Sequence, residues 1–311
     1  MKYEPFSAGK RGGFAQWLAD LPCGDDDDLR QRFAALCAGC AHDVEYPPFV
    51  RKPTRPQSRV LLRLSWQLGK AVPFTRRVYE WYGRPRLAPN DWVLIKQVNF
   101  PNERLDRLAH VLQPAVIAVL RNPYASIASA FRYRANPSEP FKTAATIARV
   151  LELLPSVAES GVPQYHRTDL EAMSDTEFEA VRWRVQSEPL AAFADRYPRA
   201  MVLTHDEFAA DPERCARLAY GFLGWEFDES VAAYVRETTA GEWHRRGSTA
   251  QQKLHGIHRD PVVATQRWRK DLTDDQVAEI RRVVDGSALL DRWPELGDRH
   301  EYTSTTAPAR D

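Results

Sequence analysis

The stretch VIAVLRNPYASIASAFRYR, residues 116–134, decides how the chain folds. Residues 115–120 (AVIAVL) are a short continuous apolar run of the kind found in buried strands. Asn122-Pro123 then opens a helix, and Ser129 follows eight residues after Arg121. A strand end beside a helix N-terminus presents N–H groups and a favourable dipole, and Arg121 adds a planar cation, so the junction is a candidate anion site. On spacing alone, a routine strand-to-helix turn with a solvated arginine is the commoner outcome.

Working outward, WVLIK (92–96) and AMVLT (200–204) are runs of the same type. Helical patterns lie between and after them. The alternation predicts an α/β fold whose parallel sheet contains all three runs, flanked by helices on both faces.

Helix starts carry local reasons. Ser174 with Glu177, and Thr273 with Gln276, have capping-box spacing. Asp211-Pro212 reads as an N-cap and first helical position, with Gly224 as the stop. Val277, Ile280 and Val284, and the pair Leu218 and Phe222, are expected on buried faces. The acidic run Asp25–Asp28 reads as a helix start rather than a metal site.

The chain has 311 residues, 43% of them hydrophobic, with a net charge of +1. A single α/β domain over 1–299 and a loose tail over 300–311 are expected, with no global field to attract nucleic acid. Four cysteines do not make a disulfide framework, and no apolar run reaches the ~18 residues of a membrane span. The expectation is a cytoplasmic protein with no membrane partner and an open oligomeric state. Cys37 and Cys40 near His42 lack the further ligand that zinc needs, so no metal is expected. Arg51, Lys52, Arg55, Arg59 and Arg63 read as a solvated basic face, and Trp66, Trp81 and Tyr82 mainly as core.

Arg121-Asn122-Pro123 and Ser129 resemble the 3′-phosphate motif of sulfotransferases that use 3′-phosphoadenylyl sulfate (PAPS). That family usually has Arg-Asp after the proline, where this chain has Tyr124-Ala125. VLTHDEFAADP (202–212) and the later Phe222-Leu223-Gly224 are similar to the family's Tyr-Glu-Asp-Leu element and its helix, with His205 at the usual tyrosine position. Gln266 to Lys270 resembles its C-terminal element, and together the matches cover roughly residues 3–284.

The resemblance implies a P-loop-NTPase-like sulfotransferase fold with PAPS as co-substrate and no metal. Arg121, Ser129, His205, Arg267, Trp268 and Arg269 are then the cofactor-binding residues. The acceptor is a hydroxyl, or an amine, of a small molecule or carbohydrate. Lys96 is the implied catalytic cation. Lys96-Gln97-Val98-Asn99 is closer to the Lys-x-Val-Arg pattern of carbohydrate-acting relatives than to Lys-x-His. Glu4, in the family-like segment Tyr3 to Phe6, is the candidate acceptor base.

The family's first strand and its hydroxyl-rich loop for the 5′-phosphosulfate have no counterpart in these residues; Ser7-Ala8-Gly9-Lys10 lacks Walker spacing. The expectation is that a strand, loop and helix, on the order of 30 residues, are missing at the start. The competing reading is a catalytically inactive relative that binds nucleotide or serves as an interaction module. A small-molecule kinase would need a glycine-rich loop and a Mg²⁺-holding hydroxyl.

Overall fold

The computed structural model describes residues 2–3, 24–38, 57–84, 93–96, 102–133, 141–239 and 265–297. Two units divide the chain, Met1–Pro114 and Ala115–Asp311. Among the described residues both are mainly helical, and each contains one parallel pair of strands. The protein is therefore of mixed α/β class.

In the first unit β1 (Lys2–Tyr3) precedes α1 (Asp26–Ala38), which opens as its acidic run requires: Asp25 Oδ1 accepts the N–H groups of Asp27 and Asp28 at 3.0 Å. A helical hairpin follows, α2 (Arg59–Ala71) and α3 (Arg76–Tyr82), joined by a tight turn through Pro73–Thr75. Leu62, Trp66 and Tyr79 make its small core. Next come β2 (Ile95–Lys96) and α4 (Leu105–Leu112), the latter ended by Gln113 in the left-handed conformation at φ 47°. Arg30 and Arg107 hold α1 against α4: Arg30 Nε donates to the Val111 carbonyl and Arg107 to the Gly24 carbonyl.

The second unit runs β3 (Val116–Leu120), α5 (Pro123–Tyr133), α6 (Ala144–Leu153), α7 (Arg167–Ala172), α8 (Asp175–Arg196), β4 (Ala200–Thr204), α9 (His205–Ala210), α10 (Pro212–Leu223), α11 (Glu229–Thr239), α12 (Trp268–Asp271), α13 (Asp274–Val284) and α14 (Pro294–Gly297). β3 and β4 pair in parallel from Val116↔Ala200 to Leu120↔Thr204. Leu120 meets Ala180, Trp183 and Ala191 of α8 in the main core, which Ile127, Trp268, Ile280 and Trp293 complete. A second cluster sets α6 and Leu154 to Val162 against α8, through Ile147, Val150, Phe178 and Val185. Within α8 the Arg184–Glu188 ion pair is buried at 2.7 Å.

Among the described residues the three apolar runs fall in two separate ladders. β2 pairs with β1, with Lys2 opposite Ile95 and Tyr3 opposite Lys96, whereas β3 pairs with β4. The β2 ladder has two residues, and Leu94 before it is 53% exposed, so this run is not buried on both faces. β3 is also half-buried: Ala118 and Leu120 enter the core while Val119, on the opposite face, is 60% exposed. In place of helices on both faces of one central sheet, the described residues show helical packing on the Ala118–Leu120 face of β3.

Capping was read correctly. Ser174 Oγ accepts the Glu177 N–H while Glu177 Oε2 accepts that of Ser174, and Thr273 and Gln276 do the same for α13. Asp211 caps α10, which stops at Gly224 with φ 69°. Leu218, in contrast, is 47% exposed, and Cys215 is the buried residue of that helix. Ser174 Oγ also lies 2.7 Å from Glu279 of α13. Ser174→Ala should therefore cost about 1–2 kcal/mol, the upper range for a lost cap. A denaturant midpoint unchanged in this variant would show that cap and tie are idle.

Candidate functional site

The site grows from the ladder. Because Leu120 faces Thr204 in parallel register, the next residues, Arg121 and His205, leave the C-terminal ends of the two strands side by side. Such strand ends are where open α/β sheets bind ligands.

Each junction is fixed by its own cap. Asn122 Oδ1 accepts the Ala125 N–H at 2.7 Å and starts α5, and Thr204 Oγ1 accepts that of Glu207 at 3.0 Å and starts α9. The two turns are then tied together, Asn122 Nδ2 donating to Asp206 Oδ1 at 2.9 Å. Trp293 Nε1 donates to the other Asp206 oxygen at 2.9 Å, and Trp183 Nε1 to the Arg121 carbonyl at 2.9 Å. Asp206 is thus held by neutral donors, and Arg121 is anchored through its backbone.

Its side chain is not matched in the same way. Arg121 Nε and His205 Nδ1 are both buried without a hydrogen-bond partner. Burial first, then the charge of Arg132, pulls the Arg121 guanidinium below its ordinary pKa, against an opposing pull from Asp206. Burial and then the charge of Arg121 likewise depress His205. An arginine stays cationic under such a shift, whereas the imidazole is neutral at neutral pH. The arrangement is a desolvated cation beside a polar ring, and a buried charged donor without a partner is costly. An anion between them would supply the missing partner.

Ser129 is half-buried on α5, and Arg132, three residues further, follows it on the same helical face. Arg132 Nε lies 2.9 Å from Asp271, which Arg267 also approaches at 3.5 Å. Arg132 and Asp206 were not singled out from the sequence. The i, i+3 spacing from Ser129 could have indicated the first; nothing local could indicate the second. The α5 terminus has fewer donors than the motif implied, because Pro123 has no N–H and that of Ala125 serves the cap.

Trp268 is buried and stacks on Tyr124 with ring centroids 4.7 Å apart, while Arg269 lies over its ring at 4.6 Å and donates to Gln266 at 2.6 Å. Tyr124 and Ala125 are both buried in that same core. Lys96 ends β2 in the first unit with an exposed side chain. Glu4, Val98, Asn99, Cys40, His42, Arg51, Lys52, Arg55 and the tail lie outside the described residues. Among the described residues no helix is long and apolar enough to cross a membrane.

No family model matches the chain, and neither a curated protein nor a solved structure matches it.

Proposed function

We propose that the chain is a sulfotransferase-like protein of the P-loop-NTPase-like fold class, whose Arg121–His205 site takes the 3′-phosphate of PAPS. The observation that carries the reading is the buried, unpartnered Arg121 Nε beside His205 at the ends of two parallel strands. A phosphate is the anion best suited to a planar guanidinium that keeps one donor in reserve. Ser129 and Arg132 on α5 are the further groups the reading assigns to that phosphate. Support extends to this half of the nucleotide; the sequence contains no hydroxyl-rich loop for the phosphosulfate half.

In the proposed reaction an acceptor hydroxyl, or amine, attacks sulfur and the bond from sulfur to the bridging phosphate oxygen breaks. The products are the sulfated acceptor, adenosine 3′,5′-bisphosphate and a proton. The resemblance, rather than any measured geometry, assigns Lys96 to the charge growing on the departing oxygen. The test is transfer of labelled sulfate from PAPS to a panel of sugars, phenols and alcohols. Lys96→Ala should lower turnover about tenfold, less than loss of a water-excluded oxyanion donor, and leave nucleotide affinity unchanged. Nucleotide binding without transfer to any acceptor would favour a non-catalytic nucleotide-binding protein.

His205 gives the site a pH signature. Its pKa lies below the ordinary 6.5 because of burial and Arg121, and a bound phosphate would raise it again. Binding therefore takes up a proton, and the advantage of wild type over His205→Gln should widen as pH falls below about 6.5. Comparing the two proteins at each pH cancels the phosphate's own titration, which works in the opposite direction. A constant affinity ratio from pH 8 to pH 5.5, on the order of the His titration range, would remove His205 from the site.

A further inference from the structure

The α2–α3 hairpin has apolar residues on more than the side that packs. Leu62, Trp66 and Tyr79 close its core. On another arc of α2, Val60, Leu61, Leu64 and Leu68 recur at helical spacing, each between 49% and 67% exposed. Phe74 at the turn is 80% exposed, and Val78 and Trp81 of α3 are 53% and 72% exposed. An uncovered series of this extent on one supersecondary unit marks an interaction surface.

The charge of the hairpin identifies the partner. Arg59, Arg63, Lys70, Arg76, Arg77 and Arg84 stand against Glu80, the single acid between residues 57 and 84, in a chain whose net charge is only +1. Arg63 and Lys70, seven residues apart, share a flank of α2 between its packed side and its exposed apolar arc, and Lys70 Nζ sits 4.3 Å over the Trp66 ring. A second copy of the same face would set cation against cation. A bilayer with anionic headgroups has both the apolar layer and the opposite charge.

We infer that the hairpin docks on the surface of an anionic lipid bilayer. Leu64, Leu68, Phe74 and Trp81 enter the acyl boundary while the basic flank meets the headgroups. At 13 residues α2 is about 20 Å long, so it lies along the surface and does not span it. This is why the absence of a spanning run says nothing against a membrane partner. The inference does not depend on the nucleotide site.

The experiment is flotation of the full chain with vesicles of phosphatidylcholine alone or mixed with phosphatidylserine, at low and high salt. The chain should float with the anionic vesicles, much less with the neutral ones, and release as salt rises. Leu64→Asp with Trp81→Asp should reduce partitioning at least tenfold, and Arg63→Glu with Lys70→Glu about tenfold. All four side chains are exposed, and circular dichroism checks that the variants fold. Independently of any variant, acyl-chain-brominated lipids should quench wild-type tryptophan fluorescence. Three results would overturn the inference: no flotation with anionic vesicles, equal flotation with neutral ones, or a dimer in solution that Leu64→Asp dissociates.

Discussion

Arg121→Ala should weaken binding of adenosine 3′,5′-bisphosphate about 100-fold while leaving the unliganded protein as stable as wild type or more so. The first effect follows from losing a charge-assisted, two-pronged contact to phosphate, worth about 1.5–3 kcal/mol. The second follows from burial. In the unliganded chain the guanidinium is desolvated, its Nε is unpartnered, and Arg132 acts on it with like charge. Removing it deletes a cost and little attraction, since Asp206 is held by Asn122 and Trp293. A structural arginine would behave in the opposite way, with stability falling and affinity following it. Measuring the thermal midpoint with and without nucleotide separates the two: the variant should lose most of the ligand-induced shift and none of the starting value.

The largest stability effect should come from Arg184→Ala, about 3–5 kcal/mol, the cost of leaving a buried partner charge uncompensated. Arg184 Nε donates to Glu188 Oε1 at 2.7 Å and its guanidinium reaches the Val283 carbonyl at 3.2 Å, so the pair fastens α8 to the end of α13. Ser287 donates to the same Glu188 oxygen at 2.7 Å, while Oε2 is buried without a partner. Once Arg184 is gone, the Glu188 carboxylate keeps only the serine. Replacing both residues by Met and Leu should recover most of the loss, because a well-packed apolar pair avoids both desolvation terms. Denaturant unfolding of the single and double variants checks this. A single variant within about 1 kcal/mol of wild type would mean that water reaches the pair.

Local features were legible in the sequence because their causes are local. Ser174, Asp211 and Thr273 cap the helices they were expected to cap, and the acidic run from Asp25 opens a helix as expected, since a cap needs only a side chain and the N–H groups two or three residues on. The strand at 116–120 and the junction at Asn122-Pro123 were readable for the same reason.

Pairing was not readable. An apolar run states that a strand is partly buried but not which edge it joins, so nothing in the residues 92–96 announced Lys2–Tyr3 as their neighbour. The sheet-wide alternation of Val119 with Ala118 and Leu120 depends on what covers each face, which is likewise non-local. Leu218 fits a helical stripe, yet Cys215 is buried instead. At the site, Arg121 was readable from the strand-to-helix junction and His205 only through the resemblance, and the parallel register explains why they are neighbours. Asp206 escaped notice because what gives it meaning, Asn122 and Trp293, lies 84 and 87 residues away.

The 3′-phosphate assignment is the central claim, and one calorimetric cycle tests it. Adenosine 3′,5′-bisphosphate and adenosine 5′-monophosphate, which differ only in the 3′-phosphate, are titrated into wild type and into Arg121→Ala. The account predicts that wild type prefers the bisphosphate about 100-fold and that the variant scarcely distinguishes the two, the signature of a direct pairwise interaction. Equal affinity of wild type for both nucleotides, or a preference that survives in Arg121→Ala, would contradict it.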